Sequence, residues 1–441
     1  MVQDSSAVEF GALGLEVTGV EEVLGEVVVR VQSPGGQAVF CGGCGRRARS
    51  KGRREVVLRD APFSGGRPQR VVWNKRVWAC PNPQCAKGSW TERSGLAGPR
   101  RVLTERATSW AVGRLAAVEG SVASLARQLG VAWHTMWAQL ALAAERAAAA
   151  GGGRVGPVAK LGFDETVMAS ASRRRRRRFI TAAVDADTGR VVDVFEGRDA
   201  ADLREWVSQQ PAWWAGAVEV VCIDPHEGYR SAIKSLRGDL LRAGTQIAVD
   251  PFHVVRLANQ AVDRCRRRTQ NDTTGHRGRK GDPLYGARKL LLMGAERLDD
   301  TGWDRLRQAL DAGDPYDEIA DCWEAKEKIR SVFKTRNPEQ ASARLDDAIA
   351  WCKAPEAAPE LHRLVRTLTR WRAEIKTSIA TRAHNGRTEA ANAKIKDIKR
   401  SARGFRNFAN YRLRILLATG QKPGHTQPVT KIRTRRPRSD A

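Results

Sequence analysis

Residues 160–197 read KLGFDETVMASASRRRRRRFITAAVDADTGRVVDVFEG. Three runs within it, KLGFDETVM, RRRFITAAVD and RVVDVFEG, are dense in Val, Ile, Phe and Thr and are separated by turn chemistry at ADTG, which reads as three consecutive antiparallel strands. Working outward toward the C-terminus, DLREWVSQ reads as a helix and VEVVCID as a fourth strand. YRSAIKSL is a second helix and TQIAVD a fifth strand. A hairpin series followed by alternating helices and strands predicts an α/β domain with a mixed sheet.

That element order is the one expected of an RNase H-like sheet, in which the first and fourth strands are neighbours. Asp164 is placed at the end of the first strand and Asp224 at the end of the fourth, so the two carboxylates would meet. Packing alone gives no reason for apolar strands to close on aspartates, because buried carboxylates need partners. Asp250 closes the fifth strand and competes with Asp224 for the second position. The arginines from Arg173 to Arg178, Arg173, Arg174 and Arg175 among them, lie between the first two strands. They repel one another unless they bind phosphate or project into solvent at a hairpin tip.

Residues 254–380 are mostly helical. VVRLANQAVDRCRRR precedes a Gly- and basic-rich loop, TTGHRGRKGDP, and then amphipathic helices carrying Trp303, Trp323, Trp351 and Trp371. This is a helical insertion of about residues 260–380 in an α/β domain spanning 158–420. Beyond it, residues 382–412 read RAHNGRTEAANAKIKDIKRSARGFRNFANYR. At about 100° per residue, Ala391, Ile395, Ile398 and Ala402 share one helical face. Glu389, Asn392, Lys396 and Arg400 fall on the other, with Arg403 following. One carboxylate thus heads a basic row whose repulsion an anionic polymer would offset. The alternative is that Glu389 only complements the helix N-terminus, with Asn385 and Thr388 as caps.

Upstream, short β-like runs (EVVVRV, QAVF) lead into Cys41-Gly-Gly-Cys44, and Cys80-Pro-Asn-Pro-Gln-Cys85 follows after VVLRD and RVVWNKRVWAC. Two close cysteine pairs separated by β-rich sequence predict a zinc ribbon over residues 1–95, with Cys41, Cys44, Cys80 and Cys85 holding one structural Zn²⁺. Arg46, Arg47, Arg49, Lys51, Arg53 and Arg54 would lay it on DNA. Cys222, Cys265, Cys322 and Cys352 are scattered singly, as reduced and partly buried thiols are. Within residues 96–150, SVASLARQLGVAWHTMWAQLAL reads as helix, turn at Gly130-Val131, and helix. A helix-turn-helix DNA-binding domain would put Trp133, His134 and Thr135 at base edges; an ordinary helical hairpin is the alternative. GGGRVGP (151–157) is a linker, and the basic tail 421–441 is expected to be disordered.

Seventy-six Lys plus Arg stand against 49 Asp plus Glu, a net charge of +27, with a pI near 10.5. This points to nucleic acid or an anionic membrane. No apolar run approaches the ~20 residues needed to span a bilayer, and MVQDSSAVEF lacks a signal-peptide layout. The expectation is a cytoplasmic, nucleoid-associated protein that does not insert into membranes.

GFDET, VVCID, DPFHVVRLANQAVDRCRR and HNGRTEAANAKIKDIKRSARGFRNFANYRLRIL together resemble the DDE transposases of bacterial insertion sequences, the ISL-three family above all, over about residues 12–420. The resemblance implies an RNase H-like catalytic domain with Asp164, Asp224 and Glu389 as catalytic carboxylates. Asp250 and His253, spaced D-x-x-H, match an accessory motif. The Pro225-His226 that follows Asp224 departs from the usual pattern, so Asp250 stays in competition. Three carboxylates can hold two Mg²⁺ ions, with Mn²⁺ as a substitute. The implied partners are double-stranded DNA, as terminal inverted repeats and as target, and further copies of the chain in a dimer or higher oligomer. A domesticated DNA-binding regulator with an inactive site, or a structure-selective nuclease, are the competing readings.

Overall fold

The computed structural model describes residues 10–36, 38–63, 66–149, 156–171, 173 and 176–419. The chain divides into two compact units, Met1–Ala150 with Asp397–Ala441, and Gly151–Lys396.

The first unit opens with a sheet. Strands β1 (Glu16–Val23), β2 (Glu26–Gln32), β3 (Arg49–Phe63), β4 (Arg67–Ala79) and β5 (Ser89–Thr91) take the order β1-β2-β4-β3, with β5 on β4. EVVVRV forms β2, and its buried valines Val27, Val29 and Val31 pack with Leu58, Val71 and Trp73. QAVF does not extend the sheet: Phe40 makes a lone bridge to Arg47, and Gln37 lies outside the described residues. Three helices follow, α1 (Glu105–Ala116), α2 (Val122–Gln128) and α3 (Trp133–Ala149). Buried Asp60 joins sheet to helices. It accepts from Thr104 Oγ1 at 2.6 Å and pairs with Arg106, while Thr104 Oγ1 caps α1 by accepting from Ala107 N. A buried carboxylate needs such donors. Ser121 and Ser124 form a reciprocal cap on α2. The turn into α3 passes through Gly130 at φ +62°, a conformation that favours glycine.

In the second unit, β6 (Lys160–Ala169), β7 (Arg178–Asp185) and β8 (Val191–Glu196) form the antiparallel series. Helices α4 (Ala200–Ser208) and α5 (Ala212–Ala215) precede β9 (Val220–Ile223), and α6 (Glu227–Leu236) precedes β10 (Gln246–Val249). The sheet order is β10-β9-β6-β7-β8. Strand β9 runs parallel to β6, with Lys160 opposite Val220, and β10 runs parallel to β9. One face of β6 points Phe163 into an aromatic core with Trp206 at 5.8 Å and Phe195 at 6.2 Å between ring centroids.

The 24-residue helix α7 (Pro251–Thr274) then starts a helical run: α8 (Pro283–Leu292), α9 (Asp300–Gly313), α10 (Glu318–Val332), α11 (Pro338–Trp351), α12 (Pro359–Arg370) and α13 (Arg372–Thr381). Val254, Ala258, Ala261, Val262 and Cys265 of α7 join one buried cluster with Ile319, Cys322, Ala325 and Ile329 of α10. Arg268 closes the seam by pairing with Glu318 and Glu360. All four scattered cysteines are buried and free. Helix α14 (Gly386–Ser401) follows, and α15 (Phe408–Thr419) is the last described element.

Two expectations need correction. The sequence reading assigns residues up to 420 to the α/β domain, yet Leu417 of α15 is buried in the cluster formed by Leu103, Leu115, Leu125 and Leu140 of the first unit. Its apolar face matches that helical core, so α15 belongs there. The helical insertion also begins earlier, directly at Pro251. The tail 421–441 lies outside the described residues. No helix among the described residues is long and apolar enough to cross a membrane.

Candidate active site and cysteine cluster

Asp164 sits at the fifth position of the ten-residue strand β6, opposite Ala182 of β7. The strand-end placement is corrected, because Thr166 and Val167 continue the pairing with Ile180 and Phe179. Alternation puts Phe163 in the aromatic core and turns Asp164 to the other face of the sheet. Asp224 and Asp250 immediately follow the adjacent parallel strands β9 and β10.

His253 bridges these two aspartates. Its Nε2 lies 3.0 Å from Asp224 Oδ2 and its Nδ1 lies 3.0 Å from Asp250 Oδ2. Asp250 also caps α7 by accepting from His253 N at 3.2 Å, and it accepts from Asn385 N at 2.8 Å. Asn385 Nδ2 donates to Phe163 O at 3.3 Å and reaches Asp224 Oδ1 at 3.4 Å. One asparagine, itself fully buried, therefore ties together the ends of β9 and β10 and the backbone of β6.

Helix α14 is seated on β6 by polar contacts. Thr388 and Asn385 lie so close to Gly162 that a Cβ there would stand 2.3 Å from Thr388 Oγ1 and 3.0 Å from Asn385 Oδ1. Asn392 Nδ2 donates to Glu165 O at 3.1 Å. Asn392 is 1% exposed, which corrects its assignment to the DNA-facing row. It follows Thr388 by one helical turn, on the side that meets the strand. Lys396, Arg400 and Arg403 are exposed, as expected, and Arg400 pairs with Asp397. Seating α14 in this way brings Glu389 into the group. Ligand atoms of Asp250, His253 and Glu389 all lie within 4.8 Å of one another. Asp164 and Asp224 stand outside that tighter set, but their charges are felt within it.

The electrostatics record the convergence. Burial, reinforced by the charges of Asp164 and Asp250, pushes the Asp224 carboxyl up to about 6 despite the neighbouring His253. Burial and then the charges of Asp250 and Asp164 raise Glu389. Burial would raise Asp250 too, but hydrogen bonds from His253 and the Asn385 amide outweigh it and hold this carboxyl below its ordinary value. The hydrogen bond to Asp250 raises His253. At Asp250 hydrogen bonds thus outweigh burial, whereas at Asp224 and Glu389 burial and neighbouring acidic charge prevail. Oxygen donors with a surplus of negative charge fit a hard divalent cation.

The sequence reading missed Asn385 and Thr388 as anything but helix caps. The signal was present: Asn385, Thr388 and Asn392 form a polar stripe at helical spacing on the buried side.

In the first unit, the Sγ atoms of Cys41, Cys44, Cys80 and Cys85 cluster within 4.8 Å of one another. Cys41–Cys85 is 3.7 Å and Cys44–Cys80 is 3.4 Å. A tetrahedron with metal–sulfur bonds of about 2.3 Å has edges of about 3.8 Å, so the four thiols fit one metal ion. A Cβ at Gly43 would stand 3.2 Å from Cys85 Sγ, so glycine lets the two knuckles close. The Gly43 amide draws the Cys41 thiol down to about 7. Trp133 and His134 are exposed and Thr135 half-buried at the start of α3, with Trp133 stacked on Trp137 at 5.9 Å. Arg173 is exposed; Arg174 and Arg175 lie outside the described residues.

The profile of the ISL3-type DDE transposase family, described as a transposase family, matches residues 161–415. Transposases for insertion sequence element IS1557 from two strains of Mycobacterium tuberculosis are 28% identical over 285 residues, covering 60% of this chain and 61% of theirs. The transposase for IS1001 of Bordetella parapertussis is 25% identical over 403 residues, covering 87% of this chain and 90% of its own. The match to the Mycobacterium relatives spans about three-fifths of their length. No solved structure matches the chain significantly. The family profile takes in all but the first residue of β6, with Asp164, Asp224, Asp250, Glu389 and most of α15, and this chain belongs to the ISL3-type family of DDE transposases.

Proposed function

We propose that the protein is the transposase of an insertion sequence. On this reading it binds the terminal inverted repeats as double-stranded DNA, cuts the element ends and joins them to target DNA. The observation that supports it is the grouping of Asp250, His253 and Glu389 within 4.8 Å of one another, with Asp224 3.0 Å from His253 and Asp164 close enough for its charge to raise both Asp224 and Glu389. The order β10-β9-β6-β7-β8, with β9 and β10 parallel to β6, supports an RNase H-like catalytic domain.

Asp164, Asp224 and Glu389 would hold Mg²⁺ or Mn²⁺. When bound, such ions activate an attacking oxygen and stabilise a leaving 3′ oxygen in an in-line displacement. The chain's own residues do the rest. Asp250 orients His253, His253 holds Asp224 in place, and Asn385 fixes the separation of the three strands beneath. Lys396 is exposed two turns beyond Glu389 on α14, where it can follow a phosphate backbone. In the first unit the four cysteines would hold structural Zn²⁺, and α2 and α3 would act as a helix-turn-helix reading the repeat. Pairing two element ends calls for at least two copies of the chain.

The test is cleavage and joining of a duplex carrying the element's end, with binding measured in parallel. Asp164→Asn, Asp224→Asn and Glu389→Gln should each abolish both steps and leave binding intact. Residues that act as a unit lose activity non-additively, so the triple variant should be no worse than any single one. Cleavage by Glu389→Gln at the wild-type rate would refute the assignment.

A further inference from the structure

From Glu389 a groove extends away from Asp164 and Asp224, lined mostly by residues that the cutting chemistry does not use. It has a volume of about 710 Å³, and its lining includes Asp250 and Glu389 together with Phe252, Phe333, Arg336 and Arg382. Phe252 is 59% exposed, although it sits between buried Asp250 and half-buried His253, and its ring meets that of His253 edge-on at 5.6 Å. Arg336 and Arg382 are exposed and have no carboxylate partner among the described residues. Arg382 is the left-handed C-cap of α13, at φ +54°, which ends the helix and turns the chain at the edge of the groove.

These features call for a ligand with two characters. The aromatic rings offer a flat apolar surface that a phosphate cannot use. The two free guanidinium groups offer positive charge that an apolar peptide cannot use. A groove of this size accepts a group as large as a nucleotide. Bases in an intact duplex are stacked on their neighbours and cannot lie against Phe252. Enzymes that need a base in a pocket take it out of the stack, and aromatic platforms beside basic grooves bind such bases with little regard to sequence.

We infer that this groove receives one nucleotide unstacked from the DNA strand, next to the phosphate at Asp164, Asp224 and Glu389. Its base lies against Phe252 and its phosphate against Arg336 and Arg382. The inference rests on the reading of those carboxylates as a DNA-cutting centre. It adds a way of gripping a strand whose local pairing has been broken.

The test uses the full chain and two labelled duplexes of equal length in buffer without divalent metal, one fully paired and one with a single unpaired thymine. Wild-type protein should bind the bulged duplex about tenfold more tightly, as stacking one base predicts. Phe252→Ala and the double change Arg336→Ala with Arg382→Ala should each erase that preference and leave the affinity for the paired duplex within about twofold. With 5-iodouracil at the bulge, ultraviolet crosslinking should mark the peptide that contains Phe252. Equal binding of both duplexes by the wild type, or a preference that survives Phe252→Ala, would overturn the inference. So would variants that weaken both duplexes alike, or that change the oligomeric state without changing the preference, since the groove would then serve general charge or a protein segment. Asp164→Asn separates the two readings: it should lose cutting and keep the preference for the bulge.

Discussion

Asp224 and Asp250 are both partly or wholly buried aspartates at neighbouring strand ends, and replacing each by asparagine should move stability in opposite directions. Asp250 accepts two hydrogen bonds from His253 and one from the Asn385 amide, with its side chain only 3% exposed. Asparagine keeps one acceptor oxygen and turns an NH₂ group toward a donor, so at least one buried N–H loses its partner. The cost is about 2–4 kcal/mol once the weakened His253 contact is included. For a unit of this size that is a fall in Tm of about 5–12 °C. Asp224 differs. Its carboxyl is pushed from 3.8 to about 6 by burial and like charge, and at about 1.4 kcal/mol per pH unit the ionised form costs about 3 kcal/mol.

The Asp224 side chain is 37% exposed, so solvent screening reduces this cost to about 1 kcal/mol. Asp224→Asn should therefore raise Tm by about 2–4 °C in metal-free buffer at neutral pH. The pH dependence follows the same sign. A carboxyl whose folded pKa lies above its unfolded value contributes stability at low pH, and that contribution is lost as pH rises through the window from 3.8 to about 6. The asparagine variant should not show this loss. Thermal unfolding followed by circular dichroism in the presence of a chelator measures both effects. Added Mg²⁺ should then stabilise the wild type and not Asp224→Asn. A destabilised Asp224→Asn, or a neutral Asp250→Asn, would refute the division of labour between the two aspartates.

Three further outcomes follow, two from the first unit and one from the arginine run of the second. Purified protein should carry one zinc per chain by elemental analysis, and Cys41→Ser or Cys80→Ser should release it and weaken DNA binding while leaving the thermal transition of the second unit unchanged. Replacing His134 and Thr135 by Ala should relax the preference for the element's end over random duplex. Thinning the arginines from Arg173 onward should instead weaken all DNA binding and flatten its dependence on salt, because base contacts specify and phosphate contacts position. Competition binding across a salt series separates the two.

Much of this architecture is legible in the sequence because it rests on periodicity. The runs at 160–197, VEVVCID and TQIAVD become β6 to β10, and the paired cysteines meet as their spacing requires. What periodicity cannot carry is position within an element and convergence between elements. Asp164 looks like a strand end because the polar run Asp164-Glu165-Thr166 interrupts the apolar start of the segment, but β6 continues to Ala169 by pairing with β7. Asn392 looks solvent-facing because it is polar, although it shares the buried stripe of Thr388 and Ile395. Asn385 acts through three elements at once, and no single window of the sequence contains all three. The placement of α15 depends on matching apolar faces far apart in the chain, which composition does not disclose.

The late position of α14 and α15 has a consequence for how the protein comes into being. Asp164, Asp224 and Asp250 leave the ribosome well before Glu389, and Asp250 lacks its Asn385 partner until the same late stretch arrives. In the first unit, Leu417 closes a helical core whose other members lie before residue 145. Both units therefore await α14 and α15, one for the carboxylate of Glu389 and the other for the side chain of Leu417. A premature stop in the helical run would yield fragments with neither a finished reading unit nor a finished site. Incomplete synthesis would then release products unable to cut DNA, a safeguard that comes from the order of the elements along the chain.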